Sequence, residues 1–244
     1  MSKKIKVNVI GAGVIGLTTA LILQKNGYQV QILSEHWPGD FDINYSSPWA
    51  TATWRANPNI DDEVVHGKIS WNEFWKLSET PEIGLMRVKI YDFMDKKPEL
   101  ERDMWFKDLV PEFRVIPPEE LPSGVEYGLS YTTVSLNVQK YLHWLLHQFT
   151  TNGGVSKKVH LSHIDESFYD SDDVGVVVNC SGVSARTLGG VADTTVLPSR
   201  GQTVSVWAPH IKTVYILSNR DSFTFIVPRE SGEVILGGTM SIDD

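Results

Sequence analysis

Apolar and polar positions recur along the chain with different periods, and each change of period marks an element. The apolar run Val7-Asn8-Val9-Ile10 passes through Gly11-Ala12-Gly13-Val14-Ile15-Gly16 into Leu17-Thr18-Thr19-Ala20-Leu21-Ile22-Leu23. That order predicts a strand, a glycine turn and a helix. Tyr28-Gln29-Val30-Gln31-Ile32-Leu33 alternates and predicts a second strand. A loop follows from Pro38-Gly39-Asp40 through Ser46-Ser47-Pro48-Trp49-Ala50, and residues 61–77 predict an aromatic-rich helix with Trp71 and Trp75 one turn apart. Tryptophans at that spacing read as core. Between residues 86 and 131, short strands and proline-rich turns such as Ile116-Pro117-Pro118-Glu119-Glu120-Leu121-Pro122 predict a mixed or antiparallel sheet.

The helical period returns at Val138, Tyr141, Leu142, Leu145, Leu146 and Phe149, and Asn152-Gly153-Gly154 ends that helix. A strand over residues 155–161 and an acidic turn, Asp170 to Asp173, come next. Val174-Gly175-Val176-Val177-Val178 predicts a fully buried parallel strand that delivers Asn179-Cys180-Ser181-Gly182 to its carboxyl end. Beyond Pro198 the pattern is β, with strands over 201–207, 223–228 and 234–238 and a hairpin connection at Arg229-Glu230-Ser231-Gly232-Glu233. The fold class is therefore α/β. A Rossmann-like domain, residues 1–85 and 135–197, is interleaved with a mixed, largely antiparallel α+β domain, residues 86–134 and 198–244.

Composition narrows this little. The 244 residues are 41% hydrophobic and 21% charged, enough for one large or two interleaved cores. Lys and Arg total 22 against 30 Asp and Glu, a net charge of −8 without a basic stripe, so nucleic acid is not an expected partner. Cys180 is the single cysteine, which excludes an intramolecular disulfide and points to a reducing compartment. The sequon at Asn44 is then expected to stay idle. Lys3, Lys4 and Lys6 precede an apolar stretch, but glycines interrupt it, no small-residue cleavage site follows, and it falls short of the ~20 apolar residues of a membrane helix.

The chemistry gathers at the glycine turn. Gly11 permits the tight turn, Gly13 lets backbone approach a diphosphate, and Gly16 lets helix and strand pack closely. The N–H groups and positive end of the helix then face the phosphates. Glu35 follows about 20 residues later, where a ribose-binding carboxylate belongs. The turn at Cys180-Ser181 is expected to close over the same ligand, because ligands of open parallel sheets bind beyond the carboxyl ends of strands. Other candidates are weaker. His143 and His147 share a helix face without a third metal ligand, His160 and His163 read as solvated, and Cys180 reads as a packed thiol. No Ser-His-Asp pattern or P-loop lysine is present, which leaves redox chemistry on a bound dinucleotide.

Val9-Ile10-Gly11-Ala12-Gly13-Val14-Ile15-Gly16-Leu17, Ser47-Pro48-Trp49-Ala50, Gly124-Val125-Glu126-Tyr127-Gly128 with Tyr131-Thr132-Thr133, Asn179-Cys180-Ser181-Gly182, Arg200-Gly201-Gln202 and Gly237-Gly238-Thr239 occur in this order. In these motifs, and over essentially its whole length, the chain resembles FAD-dependent D-amino-acid oxidases, the yeast members in particular. The resemblance implies FAD as cofactor, an FAD-binding domain with an interleaved substrate domain, and oxidative deamination of neutral D-amino acids. In that reaction a hydride passes from the substrate Cα to flavin N5; the imino acid hydrolyses to a 2-oxo acid and ammonia, and oxygen is reduced to hydrogen peroxide. A D-amino acid and molecular oxygen are the implied partners, with homodimerisation left open and no membrane involved.

By position, the resemblance implies that Gly11, Gly13, Val14, Ile15 and Gly16 hold the pyrophosphate and that Ser34 and Glu35 address the ribose. Ser47, Ala50 and Thr51 approach the phosphates and flavin, Leu161 meets adenine, and Ser181 and Gly182 close the pocket. Phe225 and Met240 fall in the substrate site, and no acid–base catalytic residue is assigned because alignment supplies most of the chemistry.

The chain also departs from the family. Thr51 and Thr53 replace glycine and asparagine, and Phe225 replaces a tyrosine. The family's carboxylate-binding arginine, a further flavin-binding turn and its peroxisomal tripeptide are not found up to Asp244. The chain therefore reads as C-terminally truncated, peroxisomal by resemblance and cytoplasmic if it is complete. Two alternatives stand beside the main reading. One is a D-aspartate oxidase, with Arg220 pairing a side-chain carboxylate, although an apolar Met240 favours neutral substrates. The other is a truncated, catalytically inactive flavoprotein-like remnant.

Overall fold

The first apolar run forms β1 (Lys6–Ile10), the glycine turn leads into α1 (Val14–Lys25), and the chain returns as β2 (Gln29–Ser34). β1 and β2 are parallel, with Val9 opposite Ile32 and Ile10 opposite Leu33. These positions belong to a computed structural model that describes residues 5–56, 61–97, 104–168, 174–219 and 223–242, with only the helical backbone at 61–63. The chain divides into two compact units, one of Met1–Ala50, Val138–Pro198 and Ile242–Asp244, the other of Thr51–Asn137 and Ser199–Ser241.

In the first unit, α3 (Val138–Thr151), β7 (Val155–Lys158) and β8 (Val174–Asn179) complete a four-stranded parallel sheet in the order β7-β2-β1-β8. Val7, Val9, Ile32 and Leu33 have almost no exposed surface, so the two central strands are covered on both faces and read as unbroken apolar runs. Asn8 and Gln31 are buried polar exceptions, and the Asn8 amide donates to the Ser167 carbonyl at 2.6 Å. α3 buries Val138, Tyr141, Leu142, Leu145 and Phe149 along one face and packs on α1. β8 corrects one expectation: it is parallel, but it is an edge strand, and Val176 is 44% exposed. β1 already has β2 on its other side, so β8 closes the order, and its outer edge has no strand partner among the described residues. The strand expected to reach residue 161 ends at Lys158. The acidic turn from Asp170 lies outside the described residues.

The second unit holds β3 (Ala52–Thr53), α2 (Asp61–Leu77), β4 (Leu85–Met94), β5 (Arg114–Val115), β6 (Tyr127–Leu136), β9 (Ser199–Arg200), β10 (Val204–Trp207), β11 (Thr213–Ser218), β12 (Phe223–Pro228) and β13 (Glu233–Gly237), with β14 (Ser241–Ile242) last in the chain. Its eight-stranded sheet runs β10-β13-β12-β11-β4-β6-β3, with β5 also on β6. Every pair is antiparallel except β11 with β4, so the sheet is mixed and largely antiparallel. The core below it is aromatic: Trp54 lies 4.7 Å from Trp71, which stacks on Trp75 at 4.9 Å, and Ile90, Phe106, Tyr131, Val214 and Val227 join them.

That core moves a boundary. Residues 51–85 were expected with the first domain, yet Trp54 and Trp71 are buried among the side chains of β4 and β6, so the segment folds with the second unit. Instead of several short strands, this unit is built on two ten-residue strands, β4 and β6, paired from Leu85–Leu136 to Met94–Tyr127. No helix among the described residues is long and apolar enough to cross a membrane.

Candidate dinucleotide cleft

The carboxyl ends of β1, β2 and β8 meet in the first unit. Cys180 N–H donates to the Ile10 carbonyl at 2.9 Å, and Gly11 N–H donates to the Leu33 carbonyl at 2.9 Å, which locks the three strand ends together. Gly11 sits at φ +101°, and a Cβ there would run into the Cys180 carbonyl oxygen. Gly16 lies so close to the preceding turn that its Cβ would overlap the Gly11 carbonyl oxygen. Both glycines are needed because backbone occupies the space a side chain would take.

Around this turn the side chains act as local caps. Ser34 Oγ accepts from Ala12 N–H at 3.0 Å and donates to the His36 carbonyl at 2.7 Å. Ser47 Oγ accepts from Val14 N–H at 3.0 Å. Tyr45 OH donates to the Ala12 carbonyl at 2.8 Å, and burial pushes its phenol far above the ordinary range, so it is a neutral donor. Among the described residues, the N–H groups of Gly13 and Ile15 meet no acceptor and stay open at the helix start.

A cleft of about 470 Å³ opens over the turn. Of the residues assigned to the cofactor from sequence, Gly11, Gly13, Val14, Ile15, Ser34, Glu35, Ser47, Leu161, Ser181 and Gly182 line it. Gly16 lies behind the turn and Ala50 is not in the wall. Thr51, Phe225 and Met240 belong to the second unit, and Arg220 lies outside the described residues. In that unit the hydroxyls of Thr51 and Thr53 are buried without a partner among the described residues, Phe225 packs on Gly237 and Gly238, and Met240 is 79% exposed.

The wall also holds side chains that pattern reading did not assign: His36, Tyr45, His160, Ser162 and Leu188. Only adjacency to Glu35, Ser47, Leu161 or Gly182 could have flagged them. His160 changes standing most. It is exposed to solvent as expected, yet its Nδ1 lies 2.8 Å from Glu35 Oε2, and the hydrogen bond and charge of that carboxylate hold its pKa above the ordinary 6.5. Such a pair contributes below the ordinary value and fades as pH climbs past the raised one. Glu35→Gln is expected to lower the His160 titration midpoint, read by NMR, whereas an unchanged midpoint would dismiss the pairing.

Cys180 is half-buried in the cleft wall, and burial raises its pKa despite a hydrogen bond from Thr19, so it is a thiol and not a nucleophile. His143 and His147 are exposed on α3, and no group of three metal-ligating side chains occurs among the described residues.

The cleft fits a dinucleotide diphosphate. Its volume lies in the ligand-site range of roughly 300–1,000 Å³, and a Cβ on Gly13 would stand 2.9 Å from Ser47 Oγ, filling the space against the open N–H groups. Ser181 Oγ, buried in the wall, has no partner among the described residues and is a donor without an acceptor.

Comparison with known proteins gives one answer. The family of FAD dependent oxidoreductases (DAO) matches residues 6–244. A D-amino-acid oxidase of Schizosaccharomyces pombe is 36% identical over 237 residues, 95% of this chain and 68% of that protein. One from Fusarium vanettenii is 33% identical over 256 residues, 96% of this chain and 70% of that protein. Among solved structures, glycine oxidase from Geobacillus kaustophilus shares the fold with a TM-score of 0.70 at 18% identity, over 99% of this chain and 73% of that one. Glycine turn, cleft, interleaved sheets and relatives agree, and this chain belongs to the DAO family of FAD-dependent oxidoreductases.

Proposed function

We propose that the chain catalyses oxidative deamination of neutral D-amino acids, converting substrate, oxygen and water to a 2-oxo acid, ammonia and hydrogen peroxide. The observation that carries this reading is 36% identity to a D-amino-acid oxidase across 95% of the chain. Bound FAD supplies an acceptor for the hydride of the substrate Cα and passes the electrons to oxygen.

The chain's own part is to hold and orient. The Gly13 and Ile15 N–H groups would hold the diphosphate, with the positive end of α1 behind them. Glu35 would accept from ribose hydroxyls, Ser181 would donate to the cofactor, and Leu161 would offer an apolar surface to adenine. Phe225 brings no hydroxyl, so substrate placement on its side rests on packing. Arg220 lies outside the described residues, and an exposed, apolar Met240 gives an acidic side chain nothing to pair with.

The test is direct. FAD-loaded protein is expected to release peroxide and 2-oxo acid from D-alanine and D-methionine, with little from D-aspartate and none from L-alanine. Protein that binds FAD but oxidises none of the D-amino acids would overturn the reading.

A further inference from the structure

Arg55 and Asp92 form a charged pair within the aromatic core of the second unit. Arg55 Nε donates to Asp92 Oδ2 at 2.6 Å, and Nη2 donates to Asp92 Oδ1 at 2.9 Å and to Ser218 Oγ at 3.2 Å. Asp92 is 3% exposed, and both of its oxygens are engaged. Arg55 is different: its side chain is 32% exposed, and among the described residues Nη1 has no acceptor. The pair thus hides its carboxylate and shows the outside only two N–H donors. Its surroundings suit a ligand. The guanidinium stands 5.8 Å over the Phe223 ring, which lies 5.6 Å from Phe225. The Tyr131 hydroxyl is fully buried, has no hydrogen-bond partner among the described residues, and lies in electrostatic reach of both Arg55 and Asp92.

A bidentate ion pair is costly to bury and is held by geometry more than by net stabilisation. Here the geometry leaves one face of the guanidinium unspent beside two phenylalanines. Because Asp92 cancels the charge of Arg55, a carboxylate arriving at Nη1 would lose its hydration without meeting a net positive partner. A neutral acceptor, such as a carboxamide or hydroxyl oxygen, gains the charge-assisted hydrogen bond at smaller desolvation cost. We propose that Arg55, held by Asp92 and Ser218, is a specificity-determining residue whose Nη1 donors select D-amino acids with an uncharged hydrogen-bond acceptor in the side chain. This rests on the reading of the chain as a D-amino-acid oxidase and names the substrates within it.

D-asparagine and D-leucine are close in shape and differ in the acceptor. The ratio of their kcat/KM values is expected to fall about tenfold or more in R55M/D92N, the size of one hydrogen bond to a charged donor. Removing both partners avoids stranding a buried charge, which makes the double variant the one that folds. D92N alone restores the positive charge, and D-aspartate turnover is expected to rise relative to D-asparagine. The proposal is overturned if the D-asparagine to D-leucine ratio of R55M/D92N stays within about twofold of the parent, less than one hydrogen bond accounts for. Calorimetric binding of the same two amino acids to FAD-loaded parent and double variant keeps the two readings apart. An absence of turnover with a binding preference that R55M/D92N loses would sink the oxidase reading alone, while equal binding by both proteins would sink the role of Arg55.

Discussion

Gly16→Ala is expected to destabilise the protein by about 3 kcal/mol, the top of the usual range for an overfilled site, and to lower Tm by roughly 10 °C for a chain of this size. The added methyl would overlap the Gly11 carbonyl oxygen, a backbone atom that cannot rotate aside. Either α1 moves off β1 or the turn opens, and both displace the N–H groups of Gly13 and Ile15. FAD affinity is expected to fall with stability by more than about tenfold, since about 1.4 kcal/mol of lost contact suffices. Calorimetric melting and titration of apoprotein with FAD, followed by flavin fluorescence, check both effects. A variant that melts like the parent and retains FAD would show that the close approach of helix and strand is not required.

Arg55→Ala is the second large effect. It leaves the Asp92 carboxylate buried with its cation gone, and breaking such a pair from one side costs about 3–5 kcal/mol. Position decides this magnitude. Arg114 and Glu120 make a similarly short contact of 2.7 Å, but both are close to half exposed, so water screens the pair and its loss is expected to cost little. Burial already raises the Asp92 pKa despite its hydrogen bonds to Arg55. Without Arg55 the carboxyl has still more reason to take up a proton in the folded state. A folded-state pKa above the unfolded value makes protonation stabilising, so the deficit of Arg55→Ala is expected to narrow as pH falls toward the ordinary 3.8. Urea unfolding of parent and variant across acid pH measures it, and a deficit that stays constant would show Asp92 to be solvated in the variant.

What the sequence made legible follows from how local each signal is. The strand–turn–helix at Val7 to Leu23 and the helix at 61–77 are fixed by short-range periodicity and glycine chemistry, and the elements appear where the pattern puts them. The cleft was legible for the same reason, because its glycines and caps lie at strand ends. The edge position of β8 was not, since Val174 to Val178 looks the same whether one or both sides are covered. β11 was missed altogether: Tyr215 and Leu217 blur the alternation of buried Val214 and Ile216 over only six residues, and its parallel partner β4 is far away in sequence. The placement of residues 51–85 turns on Trp54 packing against Trp71, a contact no single window contains. Arg55, just after β3, and Asp92, in β4, belong to no motif and became a pair only in three dimensions.

The neighbour relations of β1 bear on how the chain comes off the ribosome. β2 follows at once and can pair on one side, but Ile10 waits for Asn179 on the other. Until β8 is made, a strand carrying Val7, Val9 and Ile10 therefore holds an open ladder edge, the kind of surface that nascent chains pair wrongly. β4 waits similarly for β11. Both sheets close only when β8 and β11 emerge, long after β1 and β4, which makes the slow step of maturation the arrival of late strands at edges formed early.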